Sequence, residues 1–384
     1  LSNNDSGTSN TVFGYGAGMP TGTNSNNNVI IGHETFDLVA NDGAVGNTFV
    51  GYRVARGNPT ADTDHNVGIG YVALNALTSG DSNICIGSSA GVAITEEHNV
   101  IAIGRNAAAT LNDTGADGTV AIGRDALTAL TSGAKNIAIG YDALGDLIEG
   151  DSNIAIGYES MNAMLGEAGE SNVGDDNIAI GTDAMGSVDA GTDDNALTDG
   201  NIAIGTNALL GGDFNTSDKD LKGNIAIGYH AVDATSYYQQ EGTIGIGYNA
   251  LTELTTGAGN TAVGYSAGSS LTVGNYNTAL GYNALAVHTF GIRNTVIGYG
   301  AMGDTDASNA EDSDDNTFIG YGAGGGNWAA AKSEFNVGVG GYVMDDAMDG
   351  AVENTAVGYK TLSGLTTGDK NCAFGTQALE VLTT

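Results

Sequence analysis

A chain of 384 residues with 62 glycines and only 2 prolines is not an ordinary globular core, because glycine at that frequency needs a repeated backbone reason. An apolar content of 41% is enough to bury a core and argues against simple disorder. The formal charge of −34, with no Lys/Arg cluster, excludes a phosphate backbone as a natural partner and points to an acidic surface suited to salt or to cations.

Leu1 opens the sequence without a charged or apolar leader pattern, which reads as a processed chain or a piece of a longer one. No stretch is apolar for long enough to cross a bilayer, so no membrane insertion is expected.

From Asn10 onward one unit recurs, Asn-x-x-apolar-Gly, seen in its clearest form as Asn136-Ile-Ala-Ile-Gly140-Tyr-Asp-Ala-Leu144. Its glycines run from Gly14, Gly32, Gly51 and Gly70 through Gly140 and Gly157 to Gly340, Gly358 and Gly375, twenty copies in all. The shortest and commonest step is 17 residues. A unit of this size cannot bury its own apolar face, so the copies must stack. The expected fold is all-β, a parallel β-solenoid (β-roll or β-helix) of about twenty coils with at least 17 residues each. It is read as a single continuous repeat over 1–384, with longer insertions at about 158–176, 182–200, 206–223 and 302–315.

Each column of the repeat has an expected job. The residue before Gly is large, apolar and mostly β-branched, which suits a strand. Ile139, Ile156, Ile180, Ile204 and Ile227 are therefore assigned to the core, with the small residues between, such as Ala138, on the opposite face. Four residues before Gly stands Asn in seventeen of the twenty copies. Stacked in register, Asn136, Asn153, Asn177, Asn201, Asn224, Asn260, Asn277 and Asn294 are expected to form an amide ladder. Gly itself is expected at positive φ, turning the chain off the strand. Tyr follows Gly in twelve copies, and pairs such as Leu144/Leu147 and Leu251/Leu254 have helical spacing. Stacked strands rise only about 4.8 Å per coil whereas packed helices need about 8–10 Å, so these pairs are assigned to short helical or 3₁₀ turns opposite the strand.

Chemistry is sparse. Cys85 and Cys372 lie in the fifth and last copies, too far apart in a stack to be bridged, and read as small core residues. The five histidines show no metal-ligand spacing, and Glu96-Glu97-His98 reads as a solvated loop cluster. No nucleophile elbow, P-loop or dinucleotide fingerprint occurs, and no enzyme activity is expected. The acidic insertions offer hard oxygen ligands, with Asp175, Asp176, Asp193, Asp194 and Asp218 as candidate calcium ligands. No other cofactor is called for. Aromatic residues outside the repeat columns are Tyr237, Tyr238, Tyr276, Trp328 and Tyr342; Tyr237, Tyr238 and Trp328 are the candidates for contact with a glycan.

The pattern Asn-x-Ala-Ile-Gly-Tyr-x-Ala-Leu resembles the head repeats of trimeric autotransporter adhesins and the related repeats of bacteriophage tail fibres, along essentially the whole chain. The resemblance implies a non-catalytic shaft, extracellular, at the cell surface or on a virion. It also implies partners: the chain itself, as a homotrimer or an end-to-end filament, and a cell-surface glycan or matrix. Alternatives are a carbohydrate-active tailspike-type β-helix, a filament subunit with no adhesive role, and an ice- or mineral-binding array on the column Thr261, Thr278, Thr295 and Thr317.

Overall fold

The computed structural model describes residues 7–18, 25–36, 43–57, 63–113, 115–164, 174–188, 198–211, 220–234, 240–303, 313–328 and 331–383. The described chain is all-β and divides into two compact units, Leu1–Asp194 and Asn195–Thr384.

The first unit stacks ten short strands: β1 (Thr11–Phe13), β2 (Val29–His33), β3 (Thr48–Tyr52), β4 (Val67–Tyr71), β5 (Ile84–Ile86), β6 (Ile101–Ile103), β7 (Val120–Ile122), β8 (Ile137–Ile139), β9 (Ile154–Ile156) and β10 (Ile178–Ile180). Each pairs in parallel with the next, and equivalent repeat positions face each other, as in Ile137↔Ile154, Ala138↔Ala155 and Ile139↔Ile156. This is a parallel β-solenoid.

The second unit repeats the arrangement with β12 (Ile202–Ile204), β14 (Ile225–Ile227), β16 (Ile244–Ile246), β17 (Thr261–Val263), β18 (Thr278–Leu280), β19 (Thr295–Ile297), β20 (Thr317–Ile319), β21 (Val337–Val339), β22 (Thr355–Val357) and β23 (Cys372–Phe374). Three two-residue strands, β11 (Thr198–Asp199), β13 (Leu221–Lys222) and β15 (Gln240–Glu241), form a second parallel ladder in the return segments. The central part of each long acidic insertion lies outside the described residues.

The inside of the coil is the reverse of the expected one. Ala138, Ala155, Ala179, Ala203 and Ala226 are fully buried, whereas Ile139 is 36% exposed and Ile156, Ile180, Ile204 and Ile227 are half-buried on the outer face. Volume explains the inversion. Leu144 and Leu147 project inward from the far wall and leave the strand room only for a small side chain. Where the inward strand residue is large, its neighbours shrink. Phe318 is fully buried, and a Cβ added to Gly338 in the next coil would come within 2.7 Å of its ring. The isoleucines outside are shielded mainly by their own copies above and below, which is why Phe13, in the first strand of its unit, is 75% exposed. Cys85 follows the inward column and is buried, but Cys372 occupies an outward column and is exposed, so it is not a core residue.

The Leu-bearing segments contain no helical or 3₁₀ turn among the described residues. Asp142 and Leu144 instead take left-handed backbone angles, φ 53° and 51°, and their neighbours do not. Alternating handedness sends hydrogen bonds along the stack: Asp142 donates to Arg124 O in the preceding coil and Leu144 to Ser160 O in the following one. A helix would have kept those bonds within one coil and required more height than the strand spacing provides.

Corner glycines hold the same place in every coil at φ near 140°, for example Gly140 at 148° and Gly281 at 138°. A side chain there would also overlap the backbone carbonyl of the corner glycine in the next coil, Gly157 above Gly140 and Gly298 above Gly281. Both conformation and space demand glycine.

Candidate interaction face

The fold assigns most polar side chains to internal bookkeeping of backbone hydrogen bonds. Asn136 Oδ1 accepts from Asn153 N (2.9 Å) and from Asn153 Nδ2 (3.3 Å), and Asn153 Nδ2 also donates to Gly174 O at 2.7 Å. Asn177 repeats the pattern on Asn153. In the second unit Asn224 bonds Asn201, and Asn260, Asn277 and Asn294 continue in series to Asn316, Asn336, Asn354 and Asn371. These amides are satisfied within the chain and have no spare capacity for a ligand.

Sequence reasoning missed a second ladder. Six residues before the corner glycine, a carboxylate accepts the backbone N–H of the equivalent residue one coil earlier: Asp64 from Val45, Asp81 from Asp64, and Asp151 from Ala134, all within 2.6–2.7 Å. Asp175 does the same for Asp151 N at 2.7 Å. His98 Nδ1 takes the carboxylate's place for Asp81 N at 3.0 Å. The signal was present as recurring Asp at a fixed offset, but the overall acidity masked it.

That ladder changes the reading of the acidic residues. Asp175 serves backbone pairing, and Asp176 occupies the left-handed position before Asn177, at φ 58°. Asp193, Asp194 and Asp218 lie outside the described residues. Among the described residues no three His, Cys, Asp or Glu side chains gather closely enough to hold one ion. Glu97, expected in solvent, is fully buried; its Oε2 accepts from Thr95 N at 2.6 Å and Glu96 N at 2.9 Å, and burial pushes its carboxyl above the usual range. It caps a turn.

Trp328 is also fully buried, edge-on to Phe318 with ring centroids 5.8 Å apart, and so cannot touch a glycan at the surface. Tyr237 and Tyr238 lie outside the described residues.

What the chain offers outward is apolar and periodic. Two strand columns of Ile, Val and Thr run beside the Tyr column, so that a coil carrying Tyr contributes a trio such as Ile137, Ile139 and Tyr141. The tyrosines stack on one another. From Tyr229 through Tyr248, Tyr265, Tyr282 and Tyr299 to Tyr321, ring centroids are 5.0–5.2 Å apart and planes differ by 4–11°. Tyr15, His33, Tyr52 and Tyr71 form a shorter series in the first unit. Stacking covers the ring faces and leaves the edges outward, so the series is no platform for bases or sugars.

Together, the fold and this surface define a class: a parallel β-solenoid repeat protein with amide and carboxylate ladders and a periodic apolar outer face. Comparison with protein-family models, curated proteins and solved structures gives no match. No described helix is long and apolar enough to cross a membrane.

Proposed function

We propose that this protein is a structural shaft, an extracellular or virion-surface fibre or adhesin stem, whose copies associate side by side through the outer Ile/Tyr face. The observation that carries the reading is that face. A β-branched column left half-exposed along successive coils is a large apolar patch for one soluble chain to leave uncovered. The fitting occupant is a second copy of the same chain, because only a partner with the same coil rise matches the ridges of Ile and the edges of Tyr over many coils. The resemblance to adhesin heads and tail fibres sets the expected number of copies at three. Catalysis has less support: the recurring carboxylates Asp64, Asp81 and Asp151 are engaged as acceptors of backbone N–H groups.

The test is mass in solution with matched variants. Light scattering or sedimentation of the wild type should give a multiple of the 38.5 kDa chain mass, with three the expected value. Replacing Ile139 and Ile156 together by Lys should shift the mass toward one chain while leaving the β-sheet circular dichroism signal in place. A wild-type chain that remains a monomer at tens of micromolar would remove the proposal.

A further inference from the structure

One place in the second unit breaks the aromatic series and opens a cavity. After corner Gly340 the tyrosine column is filled by Gly341, and the aromatic residue stands instead at the next position, the left-handed one, as Tyr342 with φ 54°. Its ring stands at 68° to Tyr321 and 82° to Tyr359, so no parallel neighbour covers either of its faces. In the two preceding coils the equivalent position is glycine, Gly300 and Gly322. A Cβ added to Gly300 would meet nothing within 4 Å, and one on Gly322 would meet only the Tyr342 ring. The missing side chains leave a cavity of about 230 Å³, lined by Tyr299, Tyr321, Tyr342, the glycine backbone and Asp345.

We infer that this cavity is a binding site for a single uncharged pyranose unit, with the Tyr342 ring as stacking surface and the Asp345 carboxylate as hydrogen-bond acceptor for sugar hydroxyls. The lining suits an amphipathic ring: an aromatic surface for the C–H face, and carboxylate, phenol and backbone carbonyl groups for the hydroxyl rim. The cavity lies below the ~300–1,000 Å³ of pockets for larger ligands, which limits it to one small ring. Asp345 is partly desolvated, which holds its carboxyl above the ordinary range and favours exchange of water for hydroxyl donors.

Two other ligand classes fit less well. A quaternary ammonium needs several ring faces around it, but Tyr299 and Tyr321 are stacked on each other and offer edges, while Lys360 already acts electrostatically on Asp345. Acidic sugars would meet Asp345 within a chain of formal charge −34. The site lies within one chain, so a monomer can bind sugar, and a fibre that binds none can still assemble; because Tyr299 and Tyr321 also belong to the face proposed for self-association, the titration is repeated on the Ile139→Lys, Ile156→Lys variant, in which that face is free.

The experiment titrates the full chain with methyl glycosides of glucose, galactose, mannose and N-acetylglucosamine, and with glucuronate, N-acetylneuraminate and choline, following the protein by calorimetry and by ligand-detected NMR. At least one neutral glycoside should bind saturably, Tyr342→Ala and Asp345→Asn should each weaken it by about tenfold or more, and Tyr342→Phe should retain most of the affinity. Unchanged hydrogen exchange in the neighbouring coils verifies that the variants fold. The inference is overturned if no neutral glycoside saturates below about 20 mM, if an acidic sugar or choline binds better, or if Tyr342→Ala binds like the wild type.

Discussion

Glu97 shows how a single residue departs from its surroundings. The return segment around it normally presents a small inward group, yet here a carboxylate is enclosed, with Oε2 bonded to two backbone N–H groups and Oε1 without a donor among the described residues. Burial raises its folded pKa above the ordinary glutamate range, and the nearby Asp117 charge adds to the effect. The folded state therefore holds its proton more tightly than the unfolded chain does. Its contribution to stability is most favourable below the unfolded pKa and declines as pH rises from there through the folded value. Glu97→Gln keeps an oxygen for the two N–H donors and is neutral at every pH. We expect it to flatten that part of the stability–pH profile and to raise stability at pH 7 by about 1 kcal/mol. Denaturant melts from pH 4 to 8 measure this, and an unchanged slope in the variant would refute it. The sequence placed this group in solvent because Glu-Glu-His looks like a loop, and nothing local marks which of two adjacent acids turns inward.

At the scale of the coil, the Asn column was legible, the Asp column was missed and the apolar ones were misread. Asn at a fixed offset from Gly has few uses in a stack, and the expected amide ladder follows directly from it. The alternation Ile-Ala-Ile, by contrast, says only that the two faces differ. Which face is inside depends on the opposite wall, where Leu144 and Leu147 had been given to a helical turn. Spacing of i, i+3 is shared by a helix and by a turn of alternating handedness, and Leu is a costly residue at positive φ, so the second possibility carried no sequence signal. The amide ladder permits a direct test. Asn153→Ala removes the acceptor of two Asn177 N–H groups, the side-chain donor to Gly174 O and one of the two donors to Asn136 Oδ1, whose bond from Asn153 N remains. Leaving those groups buried should destabilise the surrounding coils by about 2–4 kcal/mol. The measurement is faster amide exchange over 136–180, and no change there would show that water replaces the amide at little cost.

For the whole molecule, charge is the controlling quantity. With 45 acidic against 11 basic residues, the side-by-side association proposed above has to overcome charge repulsion between copies. Screening shortens that repulsion from a range of about 30 Å at 0.01 M salt to about 8 Å at 0.15 M. Self-association should therefore strengthen by about tenfold or more between those conditions, read as a shift of the sedimentation isotherm to lower protein concentration. A salt-independent isotherm would mean that net charge does not limit association. The repeat made the coil readable in both units. The cavity beside Tyr342 was not, since it arises from three departures in three different coils, Gly300, Gly322 and Gly341 in place of tyrosine, which only stacking brings together.

The corner glycines also bear on how such a chain can change over generations. Beyond its own N–H bond to the strand of the preceding coil, each corner glycine lies against the corner glycine of the next, and this contact recurs along each unit. Copying or deleting a whole coil in the gene remakes the corner contact, provided that matched inward pairs such as Phe318 and Gly338 stay together, whereas a single missense change at the corner damages the junction on the spot. Recombination between repeats can thus reset the number of coils, while point mutation at these glycines is held in check. The cross-section is inherited as a constant and the coil count as a variable.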